Sequence, residues 1–232
     1  MELVLRQEKK YLLNHLEFRE YSNFLDRILM PDKHNGPNGY IVRSLYFDTL
    51  DNKDFSEKDV GSEIRRKIRL RVYDPTSDFA MLEIKQKQGE QQLKRSLKVS
   101  KKDAIELTKG NYSCLLNYKE SFAAECYSYM VTECYKPVCI VQYDRKAYIC
   151  KENKTRITFD SNITATETNF NIFDEKLPMY PVFPKYNTIL EVKYNGFLLS
   201  YIKDLITKVD KSPISASKYC LARTVSQNYK YI

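Results

Sequence analysis

Residues 65–74 read RRKIRLRVYD, and the alternation within this stretch decides the fold. Four cations stand two residues apart: Arg65, Lys67, Arg69 and Arg71. Three aliphatic residues fill the gaps: Ile68, Leu70 and Val72. Because successive side chains of a β-strand point to opposite faces, a strand here would carry its cations on one face and its aliphatic residues on the other. The crowded like charges repel one another, and either water or a polyanion along the strand would relieve that repulsion.

The same alternation recurs along the chain. It appears in RQEKKY with Glu8 and Lys10, LEIKQK with Glu83 and Lys85, LKRSLK with Lys94, VQYDRKAY with Tyr143 and Arg145, RITFD with Arg156 and Asp160, and ILEVKY with Glu191 and Lys193. One such strand is typical of a solvated edge, but the repetition indicates a shared arrangement. If the apolar faces pack on helices, the charged faces point to water on an open sheet or into the lumen of a closed barrel.

The order of the predicted elements favours an α+β fold with a largely antiparallel sheet, since strand-like runs outnumber helical ones and often follow one another directly. Helical spacing predicts helices within residues 15–30, 121–135 and 197–209. A further helix is expected to begin after Ser100 and end near Gly110, and a closing helix is expected to be capped by Ser215. With no linker or internal repeat, we expect one domain over residues 1–232.

Composition limits the possible partners and compartments. The net charge of +8 suggests an anionic partner, either nucleic acid, an anionic membrane or phosphate compounds. The six cysteines form no CxxC motif and there are two histidines, which argues against a zinc site. We expect reduced thiols and a cytoplasmic location. The N-terminus does not resemble a signal peptide, and no run approaches the ~20 apolar residues of a membrane span.

Three glutamates are interspersed among the alternating cations: Glu8, Glu83 and Glu191. A lumen lined by cations is costly unless anions fill it. The glutamates would pair with the cations, and their hard oxygen atoms could also hold a divalent metal, with phosphate oxygens completing the shell. A metal–triphosphate site requires this composition, with many cations and a few acidic residues.

Eight short motifs occur in order along the chain. They are Glu8-x-Lys10-Tyr11, Tyr46-Phe47-Asp48-Thr49, Arg69-x-Arg71, Glu83-x-Lys85, Tyr143-x-Arg145, Arg156-x-x-x-Asp160, Glu191-x-Lys193 and Ser217-Lys218-Tyr219. Together they resemble the VTC domain, the polyphosphate polymerase catalytic domain of vacuolar transporter chaperone complexes, which belongs to the triphosphate tunnel metalloenzymes. The resemblance implies an antiparallel β-barrel forming a basic tunnel, with helices packed outside. It also implies that a triphosphate, often of ATP, is bound with Mn²⁺ or Mg²⁺.

The resemblance assigns roles to individual residues. It implies a catalytic set of Arg69, Arg71, Lys85, Arg145 and Lys193. It implies a phosphate-binding set of Lys10, Lys94, Tyr143, Arg156, Ser217 and Lys218. It implies Glu191 as the principal metal ligand, with Glu8 and Glu83 as possible helpers. We expect Asp160 to orient an arginine, and Tyr46, Phe47 and Asp48 to be core and turn residues. Arg65 is expected to be solvated, and Lys67 matches no position of the family.

Three functions remain open at this point. The first is transfer of the γ-phosphoryl group of ATP onto a growing polyphosphate chain. The second is hydrolysis of tripolyphosphate or a nucleoside triphosphate on the same fold. The third is non-enzymatic binding of polyphosphate or nucleic acid, although aliphatic interleaving argues against nucleic acid. The expected partners are a triphosphate and polyphosphate. No SPX domain or membrane span is expected in this chain, and a separate membrane partner is left open.

Overall fold

The computed structural model describes residues 6–89, 91–207, 209 and 211–228. The strands of this part are β1 Arg6–Leu13, β2 Met30–Pro31, β3 Tyr40–Asp48, β4 Ile64–Val72, β5 Phe79–Gln88, β6 Gln91–Ser100, β7 Lys136–Cys150, β8 Thr155–Thr166, β9 Tyr180–Pro181 and β10 Thr188–Asn195. The helices are α1 His15–Ile28, α2 Lys53–Asp59, α3 Lys101–Thr108, α4 Ser121–Thr132, α5 Ser200–Thr207 and α6 Lys218–Asn228, with short 3-10 turns at Ser113–Asn117 and Glu152–Lys154.

The strands form a single sheet in the order β1-β10-β8-β7-β3-β4-β5-β6, with β2 paired to β7 and β9 to β8. The α+β class with an antiparallel sheet is therefore confirmed. Closure of the sheet into a barrel is not confirmed. Within the described strands, β1 and β6 stand at the two ends of the strand order, so the sheet is open. Alternation specifies which side chains share a face, but it does not specify whether the first and last strands pair, so it could not decide closure.

The fold divides the chain into two compact units. Unit 1 comprises Met1–Ile41, Tyr143–Ile163 and Phe183–Ser217. Unit 2 comprises Val42–Gln142, Thr164–Val182 and Lys218–Ile232. The expectation of a single domain over residues 1–232 stays a prediction.

The core of unit 1 lies where α1 and α5 cover the aliphatic face of β1, β10 and β8. Its buried members include Leu13, Leu25, Phe159, Leu190, Val192, Ile202 and Leu205. A capping box begins α1, because the Asn14 side chain accepts from the Glu17 N–H and the Glu17 carboxylate accepts from the Asn14 N–H. This cap fixes where the helix begins and turns its buried residues, Tyr21 and Leu25, toward the sheet.

The core of unit 2 lies between the aliphatic faces of β3 to β6 and the helices α3 and α4. Its fully buried members include Leu45, Ile68, Leu70, Leu82, Ile84, Leu107, Ala123 and Met130. Ile68 lies opposite Ile84, and Leu70 lies opposite Leu82, so the aliphatic residues between the cations of the opening stretch form this core. Each such side chain contributes roughly 1.5–3 kcal/mol relative to an exposed one.

Two local features differ from the sequence-based expectations. Helix α2 was not predicted, because it follows Asn52 in the left-handed conformation and has no side-chain cap at that position. The Asp48 carboxylate, before the usual capping position, accepts instead from the backbone N–H groups of Asp54 and Phe55. The predicted cap at Ser215 is wrong. The closing helix begins at Lys218, three residues beyond Ser215.

Gly39 provides a test of close backbone packing in unit 1. Its φ is +88°, and a Cβ added there would lie 2.3 Å from the Arg145 carbonyl oxygen. We expect Gly39→Ala to lower the free energy of unfolding by about 3 kcal/mol, since both the left-handed backbone and the clash oppose a side chain. Gly196→Ala is the matched control, because Gly196 has φ +68° with nothing within 4 Å of the added Cβ. Equal losses in urea denaturation would show that the clash is absent.

Candidate functional site

Unit 2 carries a group that we call the arginine cluster: Arg69, Arg71, Glu83 and Lys94. Arg69 lies directly opposite Glu83 on the neighbouring strands β4 and β5. Directly opposed residues of antiparallel strands share a face, and the aliphatic residues between them fill the core on the other face. The alternation in the sequence therefore brings the cations of β4 and the carboxylate of β5 together.

Glu83 is the centre of the arginine cluster and is fully buried. Its Oε2 lies 2.8 Å from Arg69 Nε and 2.7 Å from Arg69 Nη2. Its Oε1 lies 2.5 Å from Arg71 Nη2 and 2.6 Å from Lys94 Nζ. Burial alone would raise the pKa of Glu83, but the charges of Arg69, Arg71 and Lys94 outweigh it and lower that pKa to about 2. The carboxylate thus stays ionised and holds the two guanidinium groups in place.

The depressed pKa of Glu83 predicts a pH dependence of stability. A carboxyl whose pKa falls on folding stabilises the protein above its unfolded pKa and loses that effect as the pH falls through the folded value. For Glu83 the window runs from about 4.5 down to about 2, and the contribution at neutral pH is on the order of 3 kcal/mol. We expect the stability gap between the unmodified protein and Glu83→Gln to narrow across this window in urea titrations. If the difference in stability between the two proteins does not change with pH, the three cations do not lower the pKa of Glu83.

Unit 1 carries a second group, the lysine–glutamate cluster: Glu8, Lys10, Glu191 and Lys193. On β1 and β10, Glu8 lies opposite Lys193 and Lys10 lies opposite Glu191. Lys10 Nζ lies 2.7 Å from Glu8 and 4.0 Å from Glu191. Lys193 Nζ lies 3.6 Å from Glu8 and forms a close ion pair with Glu191. Each carboxylate therefore contacts both ammonium groups, in a square of alternating charge.

The lysine–glutamate cluster also reaches the segment before α6. Lys10 Nζ donates a hydrogen bond to the Ala216 carbonyl at 3.0 Å, and the Ile214 N–H donates to the Lys10 carbonyl. Ala216, the residue before Ser217, is thereby held against Lys10 of β1. Lys218 is the first residue of α6 and belongs to unit 2.

The donors of the lysine–glutamate cluster fit a divalent metal. Glu8 and Glu191 supply hard carboxylate oxygens, and Glu191 is buried. Thr158, opposite Glu191 in the sheet, has a buried hydroxyl with no hydrogen-bond partner among the described residues. The described part of the chain holds no group of three or more His, Cys, Asp or Glu suited to a metal. Two carboxylates, completed by water and phosphate oxygens, are nevertheless how Mg²⁺ is commonly bound.

The predicted third metal ligand has a different setting. Glu83 belongs to unit 2, where both of its oxygens are engaged by the cations of the arginine cluster, whereas Glu8 and Glu191 belong to unit 1. This setting makes Glu83 an organiser of arginines. Lys85, predicted as catalytic, lies opposite both Lys67 and Lys94 and so shares the face of that cluster.

Arg145 is anchored by Asp160, as expected. Arg145 Nε and Nη2 donate to the two Asp160 oxygens at 2.7 and 2.8 Å, and Asp160 is fully buried. Burial opposes the charge on Arg145, but the Asp160 carboxylate raises the pKa of Arg145 well above its usual value. The guanidinium also lies 5.2 Å from the centre of the Tyr143 ring. The two hydrogen bonds to Asp160 fix the position and the plane of the Arg145 guanidinium group.

Arg156 also belongs to unit 1, where Asp32 and Tyr40 hold its guanidinium group. Its Nη2 lies 2.7 Å from Asp32 Oδ2 and donates to the Tyr40 hydroxyl at 3.0 Å. Arg156 is also opposite Lys193 in the sheet, which places it on the face of the lysine–glutamate cluster. Arg156 thus shares one face of β1, β10 and β8 with Glu8, Lys10, Glu191 and Lys193.

A support for the arginine cluster was missed from the sequence. Asp48 is fully buried and accepts hydrogen bonds from the Tyr219 hydroxyl and from backbone N–H groups. The Tyr219 ring stacks on Tyr46 at 5.0 Å, and the Tyr46 hydroxyl lies 3.5 Å from Arg69. Tyr46 and Asp48 were expected to be core and turn residues. The available signal was a carboxylate and a hydroxyl at the end of a strand that is otherwise buried.

The chain is similar in sequence to a protein family and in fold to solved structures. The family model described as "VTC domain" matches residues 5–226. A Bacillus halodurans protein, provisionally described as an adenylate cyclase, has a crystal structure with TM-score 0.53 and 12% identity, over 93% of this chain and 94% of that chain. A Vibrio parahaemolyticus protein with the same provisional description gives TM-score 0.50 and 11% identity, over 95% and 98%. These likenesses show the fold alone.

No curated protein matches the chain. Among the helices in the described residues, none has the length and apolar character needed to cross a membrane.

Proposed function

The chain belongs to the VTC domain family, and from this membership we propose that it transfers the γ-phosphoryl group of ATP onto a growing polyphosphate chain. The reaction is a metal-dependent phosphoryl transfer, and the products are ADP and a polyphosphate longer by one phosphate. The motifs Tyr143-x-Arg145 and Ser217-Lys218 favour the polymerase over a hydrolase, because they match the polymerase pattern.

The observation that carries the proposal is the arginine cluster centred on Glu83. Phosphoryl transfer asks a protein mainly to position the phosphates and to stabilise their charge. Arg69 and Arg71 present planar guanidinium groups that can bind phosphate oxygens in pairs. The buried Glu83 holds both before any substrate arrives, so less ordering is needed when phosphate binds.

The lysine–glutamate cluster supports the metal dependence. Glu191 and Glu8 would hold Mn²⁺ or Mg²⁺, which when bound neutralises charge on phosphate oxygens. Lys10 and Lys193 contact both carboxylates and supply positive charge of their own for phosphate. Arg145, kept cationic by Asp160, and Arg156 add two further cations in the same unit. The acceptor, a terminal phosphate that is already ionised, needs no general base.

The proposed setting is the cytoplasm, with ATP and polyphosphate as partners and no nucleic acid. A groove that binds nucleic acid would offer aromatic side chains on which bases stack. Here the cations of β4 and β5 alternate with buried aliphatic residues instead.

The proposal is tested by incubating the purified protein with ATP and Mn²⁺ and separating the products on a polyacrylamide gel stained for polyphosphate. A ladder of long chains with release of ADP, lost on chelation of the metal, is the expected result. Orthophosphate without chains would replace the polymerase by a triphosphatase. Binding of polyphosphate without turnover would show a non-enzymatic binder.

A further inference from the structure

A second buried carboxyl lies next to Asp48 in unit 2 and belongs to neither cluster. Asp54, in the first turn of α2, is only 2% exposed. The hydroxyl of Tyr135, which is itself buried, donates to Asp54 Oδ1 at 3.0 Å. Asp54 Oδ2 is also buried, and no residue within the described part of the chain forms a hydrogen bond with it. A buried carboxylate with so little compensation is costly, and the neutral acid avoids most of that cost.

The Asp48 carboxylate has the opposite environment. Its Oδ1 accepts from the N–H groups of Thr49 and Asp54, at 2.8 and 2.9 Å. Its Oδ2 accepts from the Phe55 N–H at 3.0 Å and from the Tyr219 hydroxyl. Four donors stabilise a negative charge on Asp48, whereas Asp54 has one. Of the two neighbouring carboxyls, Asp48 therefore carries the charge and Asp54 carries the proton.

The other charged groups around this carboxyl pair are largely paired with one another. They are Lys53 and Glu57 on α2, Arg66 on β4, Glu133 after α4, and Arg223 on α6. Glu133 accepts from both Lys53 and Arg66 at 2.9 Å. Arg66 thus opposes the proton on Asp54 only in part. Burial, followed by the charge of Asp48, raises the pKa of Asp54 from its ordinary 3.8 to about 8.

Asp48 connects Asp54 to the arginine cluster. The Tyr219 hydroxyl donates to Asp48, and the Tyr219 ring stacks on Tyr46 with the ring centres 5.0 Å apart. The Tyr46 hydroxyl lies 3.5 Å from Arg69 Nη1. A negative charge on Asp54 would repel the Asp48 carboxylate across a short, poorly solvated distance. That repulsion acts on the carboxylate that holds Tyr219, and through Tyr219 on the support of Arg69.

We propose that Asp54 is a positioning residue, which holds a proton at neutral pH and thereby keeps Asp48 bonded to Tyr219. Through Tyr46 this bond supports Arg69. At alkaline pH the proton passes to water, two carboxylates then lie side by side, and Arg69 loses its support. The consequence for phosphate binding rests on the proposed function, in which Arg69 binds phosphate, whereas the protonation of Asp54 is independent of it.

The protonation state is measured directly by carboxyl ¹³C NMR across a pH series. The Asp54 signal is the one that disappears in Asp54→Asn, and we expect its midpoint near pH 8. Asp59→Asn, an exposed position on the same helix, is the matched control and should leave that signal in place. Tyr135→Phe removes a hydrogen bond that lowers the pKa of Asp54, so the midpoint should move upward. A midpoint below about pH 6, near the range of an ordinary carboxyl, would overturn the proposal.

Urea denaturation provides a second measurement. A carboxyl whose pKa rises on folding binds its proton more tightly in the folded state, so stability falls as the pH rises from the unfolded to the folded value. For Asp54 this window runs from 3.8 to about 8, and the effect is constant above it. Asp54→Asn lacks this effect, so its urea midpoint should rise relative to that of the unmodified protein across the window. A difference that does not change with pH would overturn the proposal.

The positioning role is tested by calorimetric binding of tripolyphosphate at about pH 7 and about pH 9. Over this interval we expect the affinity of the unmodified protein to fall at least about threefold further than that of Asp54→Asn, and Asp59→Asn to follow the unmodified protein. Equal falls in the unmodified protein and Asp54→Asn would overturn the positioning role. If the unmodified protein binds no tripolyphosphate at either pH, the proposed function fails, and the NMR and urea series still decide whether Asp54 holds the proton.

Discussion

Replacing Glu191 by glutamine is expected to lower metal-dependent turnover of ATP by roughly a thousandfold, about 4 kcal/mol of transition-state stabilisation. Glutamine keeps the shape of the side chain but removes the charge of the buried carboxylate. Of the two carboxylates of the lysine–glutamate cluster, Glu8 alone would then remain as a hard ligand. The change is measured as kcat for polyphosphate synthesis across a series of Mn²⁺ concentrations, and by calorimetric titration of Mn²⁺ itself.

Loss of folding must be separated from loss of metal in this experiment. Glu8 still pairs with Lys10 and Lys193 in the variant, so we expect the free energy of unfolding to fall by less than about 2 kcal/mol. Glu20→Gln, on the exposed side of α1, is the matched control and should retain full turnover. If Glu191→Gln is folded, binds Mn²⁺ normally and turns over at the unmodified rate, then Glu191 is not a metal ligand.

Replacing Asp160 by asparagine is expected to lower the free energy of unfolding by about 3–5 kcal/mol, because it leaves the Arg145 guanidinium buried without its counter-ion. Both Asp160 oxygens accept from Arg145, and one carboxamide oxygen cannot replace them. Urea denaturation at neutral pH measures the loss. Turnover should fall too, since Arg145 is proposed to contact phosphate.

Two further variants make the Asp160 result specific. Asp144→Asn changes a carboxylate on the same unit that accepts one longer hydrogen bond, from Asn162 at 3.3 Å, and should cost less than about 1 kcal/mol. The double variant Arg145→Met with Asp160→Leu should recover most of the stability but not the activity, because paired apolar groups remove the buried charge altogether. A double variant as unstable as Asp160→Asn would show that shape, not charge, holds this position.

The faces of the strands could be predicted from the sequence because alternation is a local property. Ile68 and Leu70 on β4 are buried, and Arg69 and Arg71 between them lie on the other face, as the opening stretch indicated. Strand pairing is not local. That Glu8 would meet Lys193, from the far end of the chain, depends on register that no short motif encodes. Whether the sheet is open or closed also depends on strand pairing, so local alternation could not predict it.

The candidate site was predictable in its members and less so in their roles. The alternating pattern and the family resemblance together indicate every member of both clusters. The role of Glu83 could not be predicted, because a carboxylate among cations serves equally as a metal ligand or as a counter-ion until its distances are known. The support that Asp48 gives to the arginine cluster has no local signal in the sequence, because its partner Tyr219 lies far along the chain.

The position of β6 at one end of the strand order has a consequence for solubility. A terminal strand presents unpaired backbone groups that can recruit a strand from another molecule and start aggregation. Natural proteins block this with charged side chains, lysine above all, and β6 carries the exposed Lys94 and Lys98. The charge density of this strand therefore also acts as a gatekeeper against edge-to-edge assembly.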